Sequence, residues 1–412
     1  MNVKIGILGL ALFPQKYKGS NLGCSALAYS FLEVLNRIAE GNDWTIDVVY
    51  ICNIDNTKLL KRQFRRLLRI QKDELMDYYS SIYNRVKFKR GFYIKHYKKI
   101  YFLQEVKTCN CVFDFTAGDS FTDMYGEERF IERTTLKKAV IEAGIPLILG
   151  SQTIGPFISD ESKTFASEII KRAKQVFVRD EQSLSCVQEL TGKIPVLTTD
   201  IAFFLPFKKQ EKTESRKIGF NPSGLLWMGG YTGDNQFGLT VDYQKYCRYI
   251  VSYLLCKEYE VHLILHAFYT EDSLEPYTPD NDSIAANALH KEYPTTIISP
   301  EFCTPIEAKS YISQMSLFIG ARMHATIASL SSGVPVLPFS YSRKFEGLFS
   351  SLSYPFVIEG TKWTTKMAIE KTINWIECKS KIRKNVDDSL SIIKSKNSEL
   401  LNHYTNIINQ CL

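Results

Sequence analysis

The stretch Phe318–Phe349, FIGARMHATIASLSSGVPVLPFSYSRKFEGLF, constrains the fold more than any other part of the chain. Its signals run strand, tight turn, helix, strand, tight turn, helix. An apolar run ends on Gly320, and the small residues from His324 to Ser332 suit a short helix. Gly333 stands where a helix C-cap is expected, Pro335 blocks continuation, and VPVLPF is a second buried strand. A parallel strand–helix–strand unit brings both strand C-termini out on one edge of a sheet, with neighbouring strands about 5 Å apart. Arg322 and His324, just past the first strand, and Lys344, just past the second, are therefore expected to converge on one crevice, the place where open α/β sheets take ligands. Two cations and an imidazole at the N-termini of two helices make an anion site with a proton donor inside it. An Arg and a His in such a turn are also ordinary surface residues; Lys344 at the equivalent turn of the next strand is what favours a site.

At 412 residues the chain is too long for one ordinary core and suits two domains. With 45% hydrophobic residues it can bury both, which excludes a disordered chain. No run approaches the roughly 20 apolar residues that span a bilayer, and MNVKIGILGL reads as a first strand rather than a leader. The ten cysteines include no CxxC pair, so they read as reduced, buried side chains of a cytosolic enzyme rather than a zinc site. Net charge is +7, yet residues 58–99 alone carry fourteen Lys or Arg against three acids, a balance of +11 that leaves −4 for the remainder. KLLKRQFRRLLRIQK in that stretch has a basic helical pattern, and the stretch at about 58–99 reads as a basic helical insertion in the first domain. Two readings stand for it: a solvated helix face, or a peripheral contact with anionic lipid at the inner face of a membrane. No recognition motif or aromatic-basic platform supports nucleic acid.

Taken in order, VKIGILGL is a strand covered on both faces, followed by a loop and the helix ALAYSFLEVLNRIAE. Gly19, Asn21 and Gly23 ahead of that helix give a turn whose backbone amides can accept an anionic or sugar ligand, or merely satisfy the geometry. WTIDVVYI is the second strand. VFDF then leads into a loop with Asp119, Ser120 and Asp123, in which Asp119 can bind or deprotonate a hydroxyl while Ser120 or Asp123 can cap a helix. IPLILG exits at Ser151 and Gln152. VFV ends at Arg179, whose planar fork suits a carboxylate or phosphate, with a local pair to Asp180 as the alternative. TTDIAFFLP, with Asp200, closes a first domain over residues 1–206, and the charged segment 207–217 is the linker. A second domain, 218–378, opens with KIGFNPSG, where Asn221 leaves a strand; VHLILHAF is a further strand with His266 at its exit. Residues 379–412 form a helical tail expected to pack back on the first domain.

The G-x-R-x-H turn, the helix ending SSGVPV, and the lysine twenty residues past the histidine together resemble the C-terminal signature of the polysaccharide pyruvyl transferases. GSQTIGPF is similar to that family's G-Q-x-x-G-P turn, Val178-Arg179-Asp180 with Ser183 to its V-R-D-x-x-S motif, and Asp200-Ile201-Ala202-Phe203 to its D-x-A-F turn. Two turns depart from it: Cys24 and Ser25 follow Gly23 where an acid is usual, and Ala117-Gly118-Asp119 replaces a glycine pair. The resemblance implies an α/β protein of two Rossmann-like domains with a cleft between them, GT-B-like. It also implies transfer of the enolpyruvyl group of phosphoenolpyruvate onto two hydroxyls of a sugar, closing a cyclic ketal and releasing phosphate. On this reading His324, Lys344 and Arg179 engage phosphoenolpyruvate and share one pocket, with Arg322 beside them and Asn21, Gly23, Asp119, Ser120, Gln152, Asp200, Asn221 and His266 facing substrate. His324 is the acid, with an ordinary pKa of about 6.5, and the base stays open among Asp119, Asp123 and Asp200. The scheme needs no cofactor or metal. The acceptor is a free or lipid-linked sugar, the location cytoplasmic, and acceptor identity and oligomeric state are left open. Alternatives are a GT-B nucleotide-sugar glycosyltransferase, for which Glu346 is the nominated ribose contact, and an inactive sugar-binding scaffold.

Overall fold

A computed structural model of the chain describes residues 1–10, 20–53, 83–96, 99–209, 216–269 and 279–412. In chain order its strands are β1 (Asn2–Leu8), β2 (Ser20–Asn21), β3 (Thr45–Asn53), β4 (Val86–His96), β5 (Lys99–Phe102), β6 (Cys111–Asp114), β7 (Leu147–Gln152) and β8 (Gln175–Val178). There follow β9 (Val196–Leu197), β10 (Lys217–Asn221), β11 (Glu260–Leu263), β12 (Ala267–Phe268), β13 (Ile297–Ile298), β14 (Leu317–Gly320), β15 (Val336–Ser340) and β16 (Ile358–Glu359). The longer helices are α1 (Leu22–Asn42), α2 (Glu127–Glu142), α3 (Asp160–Arg172), α4 (Glu181–Thr191), α5 (Tyr243–Cys256) and α6 (Asp282–Glu292). They continue with α7 (Pro305–Ile312), α8 (Met323–Ser331), α9 (Arg343–Ser350), α10 (Thr365–Glu377) and α11 (Lys379–Asn409). Two compact units result: Met1–Leu12, Leu27–Phe204 and Lys396–Leu412 form the first, Phe13–Ala26 and Leu205–Ser395 the second.

The first unit is built on a sheet of order β5-β4-β3-β1-β6-β7-β8-β9, parallel except where β5 returns against β4. From β4 to β8 this is the doubly wound order of dinucleotide-binding folds, whose direction of winding reverses between β1 and β6. Both faces are covered at the centre of the sheet, so β6, β7 and β8 are buried at nearly every position. Val112 and Leu149 pack with Phe130, Val140 and Ile169 on one side. On the other, Phe113 lies 5.0 Å from Phe31 of α1 and 5.1 Å from Tyr404 of α11, ring centre to ring centre. Each such fully buried aromatic contributes about 2–3 kcal/mol by burial. Helix starts follow capping chemistry: Ser159 Oγ accepts from Ser162 N at 3.1 Å and Asp180 Oδ1 from Ser183 N at 2.8 Å.

One sequence expectation changes here. The basic stretch at about 58–99 was read as a helical insertion; residues 54–82, which hold its helical pattern, lie outside the described residues, and 86–96 is strand. The reason is a period of two, with Val86 and Phe88 buried and Lys87 and Lys89 exposed between and after them; Lys89 Nζ is 2.6 Å from Asp47 of β3.

The second unit repeats the winding with the order β13-β11-β10-β14-β15-β16, all parallel, so its switch point lies between β10 and β14. Phe339 of β15 packs on Tyr243 and Tyr246 of α5, with ring centres 5.0 and 5.2 Å apart. VHLILHAF, read as one strand, is broken: β11 stops at Leu263, and after His266 the chain turns to pair antiparallel with β2, Ala267 opposite Asn21. Leu22 N donates to His266 O at 2.9 Å, tying the start of α1 to that turn. Among the described residues no helix is long and apolar enough to cross a membrane.

Candidate functional site

At the switch point of the second unit, Asn221 ends β10 opposite Gly320 at the end of β14. Asn221 Oδ1 accepts from Arg322 N at 3.0 Å, and its amide donates to Ile264 O at 2.9 Å and to Asp282 Oδ2 at 3.1 Å. Asp282 is fully buried and also receives the backbone N–H groups of Gly224, His266 and Ala267 at 3.0–3.1 Å. Arg322 donates to its Oδ1 through Nε at 3.0 Å and Nη2 at 2.6 Å, and through Nη1 to Asp280. Burial pulls the Arg322 guanidinium down, but Asp280 and Asp282 outweigh it and hold the group well above its ordinary value. The part read from sequence for Arg322, a cation facing an anionic ligand, is thereby corrected: its donors face two carboxylates, and it fixes the turn that carries His324.

His324 is the second residue of α8 and half-buried. Gly23 packs on its ring so closely that a Cβ there would lie 2.4 Å from His324 Nδ1. Gly23 is already inside α1, which starts four residues earlier than its apolar pattern indicates, and its N–H donates to Asn21 Oδ1 at 2.9 Å. Gly23 therefore packs against the histidine, with Asn21 holding its amide; Gly19 lies outside the described residues. His266 is 2% exposed, its Nδ1 has no hydrogen-bond partner among the described residues, and its pKa is pushed down to about 3 by burial, with His324 and Arg322 adding to it. It is neutral at working pH. Lys344 is the second residue of α9, as His324 is of α8, and β14 and β15 are paired neighbours. Its Nζ lies 6.0 Å from the centre of the Tyr341 ring. Asp280, Asp282 and Tyr341 were missed in the sequence. An acidic pair at the start of a helix was the available signal for the first two.

In the first unit Arg179 follows β8 and is 4% exposed, buried where an exposed fork was expected. Its Nη1 donates to Asp200 Oδ2 at 2.6 Å and its Nε to Thr153 Oγ1 at 2.9 Å. The local pair with Asp180 is not formed: that carboxylate caps α4 and accepts from Thr153 Oγ1 at 3.0 Å. Burial lowers the Arg179 guanidinium, and Asp200, then Asp119 and Asp180, more than offset it and raise it above its ordinary value. Gln152 is buried, with Nε2 donating to Asp114 O at 2.7 Å. Neither Ser120 nor Asp123 caps a helix, since α2 starts after Gly126. Ser120 accepts from Arg129 Nη2 at 3.0 Å. Asp123 is partly buried, which raises its pKa, but amide donors including Ser159 and Ile158 hold it below the usual range. Asp119 accepts from the Tyr125 hydroxyl at 3.3 Å and ends a strained turn in which Thr116 and Ala117 have φ of 43° and 55°. The turn presses on Gly9, φ 69°, where a Cβ would meet Thr116 N at 2.5 Å. Among the described residues no group of three or more His, Cys, Asp or Glu is placed to hold a metal.

A family model for polysaccharide pyruvyl transferases matches residues 21–343, most of the chain. The chain belongs to the polysaccharide pyruvyl transferase family. The match begins at Asn21, two residues before Gly23, and runs through the first signature turn to the residue before Lys344. No curated protein matches the sequence. Solved structures that resemble this family member do so in fold. A putative UDP-N-acetylglucosamine 2-epimerase from Listeria monocytogenes has a TM-score of 0.54 at 12% identity, over 95% of this chain and 94% of that one. The UDP-GlcNAc 2-epimerase from Neisseria meningitidis bound to UDP-GlcNAc has a TM-score of 0.53 at 14% identity, over 98% and 100%. The fold is thus that of GT-B-type proteins, two Rossmann-like α/β units. Glu346, nominated for a nucleotide ribose, lies 3.0 Å from Lys362 Nζ in an ion pair.

Proposed function

We propose that this protein transfers the enolpyruvyl group of phosphoenolpyruvate onto two hydroxyls of a sugar in a polysaccharide or glycan precursor. The observation that carries the reading is the matched placement of His324 and Lys344, each second in the helix that follows one of two adjacent parallel strands. Helix N-termini and an ammonium suit the phosphate and carboxylate of the donor, and an imidazole beside them suits proton delivery. His324 protonates C3 of the enol, C2 becomes oxocarbenium-like, and the first sugar hydroxyl adds to it. The C2–O bond to phosphate then breaks and the second hydroxyl closes the ketal; of the two hydroxyl protons, one restores the proton given to C3 and the other leaves with phosphate. The base stays open among Asp119, which accepts from the Tyr125 hydroxyl, Asp123, which accepts from two backbone amides, and Asp200, which accepts from Arg179 and the amide of Ala202. Arg322 is assigned to holding the His324 turn.

The test is phosphate release from phosphoenolpyruvate across free and lipid-linked galactose, glucose and N-acetylmannosamine acceptors, with the product weighed by mass spectrometry. Acceptor-dependent phosphate and a pyruvate ketal on the sugar support the reading. Thermal stabilisation by uridine nucleotides and not by phosphoenolpyruvate, with no phosphate from any acceptor, overturns it in favour of a glycosyltransferase.

A further inference from the structure

The segment Met228–Gly238, in the second unit, is rich in glycine, and Gly229, Gly230, Gly233 and Gly238 all have positive φ. It is tied largely to itself: Gln236 N donates to Gly229 O at 3.1 Å, Tyr231 N to Gln236 Oε1 at 2.9 Å, and Leu239 N to Asn235 Oδ1 at 2.9 Å. Such a self-packed loop holds its tip side chains in place without help from a sheet. Two of its aromatic residues touch the site. The Tyr231 hydroxyl donates to Asp280 Oδ2 at 3.3 Å, while Asp280 Oδ1 takes Arg322 Nη1. The Phe237 ring meets Tyr341 edge-on, with centres 5.0 Å apart, and Tyr341 lies 5.5 Å from Phe345 and 6.0 Å from Lys344 Nζ.

We infer that Tyr231 and Phe237 are positioning residues through which one loop fixes both cations of the signature turns, Arg322 by way of Asp280 and Lys344 by way of Tyr341. A lysine ends in a point charge on a flexible four-carbon stem, so a site that needs its ammonium in one place must restrain it. An aromatic face does so only if the ring itself cannot turn. Phe345 of α9 and Phe237 supply that restraint to Tyr341. Arg322 has its carboxylates, but Asp280 stands at the surface end of the pair and is steadied by Tyr231. The loop thereby sets the affinity of this edge for an anionic substrate. The identity of that substrate rests on the pyruvyl-transfer reading above.

Two measurements on the full-length protein test this. Phe237→Ala is expected to raise KM for phosphoenolpyruvate about tenfold with kcat little changed, and Phe237→Tyr to restore it. Acylation of Lys344 by acetic anhydride, followed by peptide mass spectrometry, is expected to speed up severalfold in Phe237→Ala and to stay at the wild-type rate in Tyr231→Phe, which lowers kcat through the His324 turn that Arg322 holds. Unchanged KM and unchanged Lys344 acylation in Phe237→Ala overturn the inference, as does a loss of folding that Phe237→Tyr does not rescue. If wild-type protein neither binds nor turns over phosphoenolpyruvate but Lys344 acylation still responds to Phe237→Ala, the pyruvyl-transfer reading falls and the loop's hold on Lys344 stands.

Discussion

Arg322 Nη2 lies 2.6 Å from Asp282 Oδ1, and their side chains keep 6% and 0% of their solvent contact. Because the same carboxylate also gathers amides that follow β10 and β11, it is the knot of the second unit's functional edge. Breaking a buried pair by removing one charge is costly, since the other is left uncompensated. Asp282→Asn is expected to destabilise the protein by about 3–5 kcal/mol in a denaturant titration. A loss within measurement error of zero would mean that the network does not hold the edge.

Gly23→Ala tests the packing against His324. The added methyl would come within 2.4 Å of Nδ1, so the imidazole has to move. Misplacing a catalytic group by about 1 Å costs on the order of 10²-fold in rate, and kcat for phosphate release is expected to fall by that much while the protein stays folded by circular dichroism. His324→Ala sets the floor for comparison. Near-full turnover in both variants removes His324 from proton delivery.

His266 makes stability depend on acid. Its pKa is about 3 in the folded protein, below the ordinary 6.5, so between those values the unfolded chain binds the proton and the folded one does not. The stability that goes with a neutral His266 is full above pH 6.5 and is lost progressively as the pH falls toward 3. His266→Gln is expected to show a smaller loss of melting temperature between pH 7 and pH 4 than wild type. Equal losses would show that the imidazole is not kept neutral by burial.

Ala117 holds a backbone conformation, φ 55°, that favours glycine. Replacing it removes a Cβ clash with the backbone, partly offset by the entropy of a freer unfolded chain. Ala117→Gly is expected to stabilise the protein by about 1 kcal/mol. A destabilised variant would show that the methyl group is packed to advantage.

The signature was legible because it is local. Buried apolar strands bounded by Gly and Pro put β14, α8, β15 and α9 within a residue or two of their places, and the N-terminal shift of α1 came from a Leu-Gly start that propensity alone does not mark. What was hidden depends on partners far off in sequence. Nothing near Arg322 announces that its donors go to Asp280 and Asp282, some forty residues earlier. Asn21 looked like a loop since its pairing strand, β12, begins at Ala267, and two-residue strands carry no periodicity to read. The residues near 86–102 were misread because a run of basic charge hid an alternation that only its buried Phe88 makes plain.

The strand β2 and the opening turn of α1 count with the second unit although the rest of that helix counts with the first. Anyone truncating this protein at its apparent linker, to obtain the His324 half alone, will therefore leave β12 unzipped and the histidine's neighbour behind on the discarded fragment. A faithful excision has to graft residues 20–26 back, as a short added segment or a rearranged chain order, before the isolated half can be asked to hold its ligand.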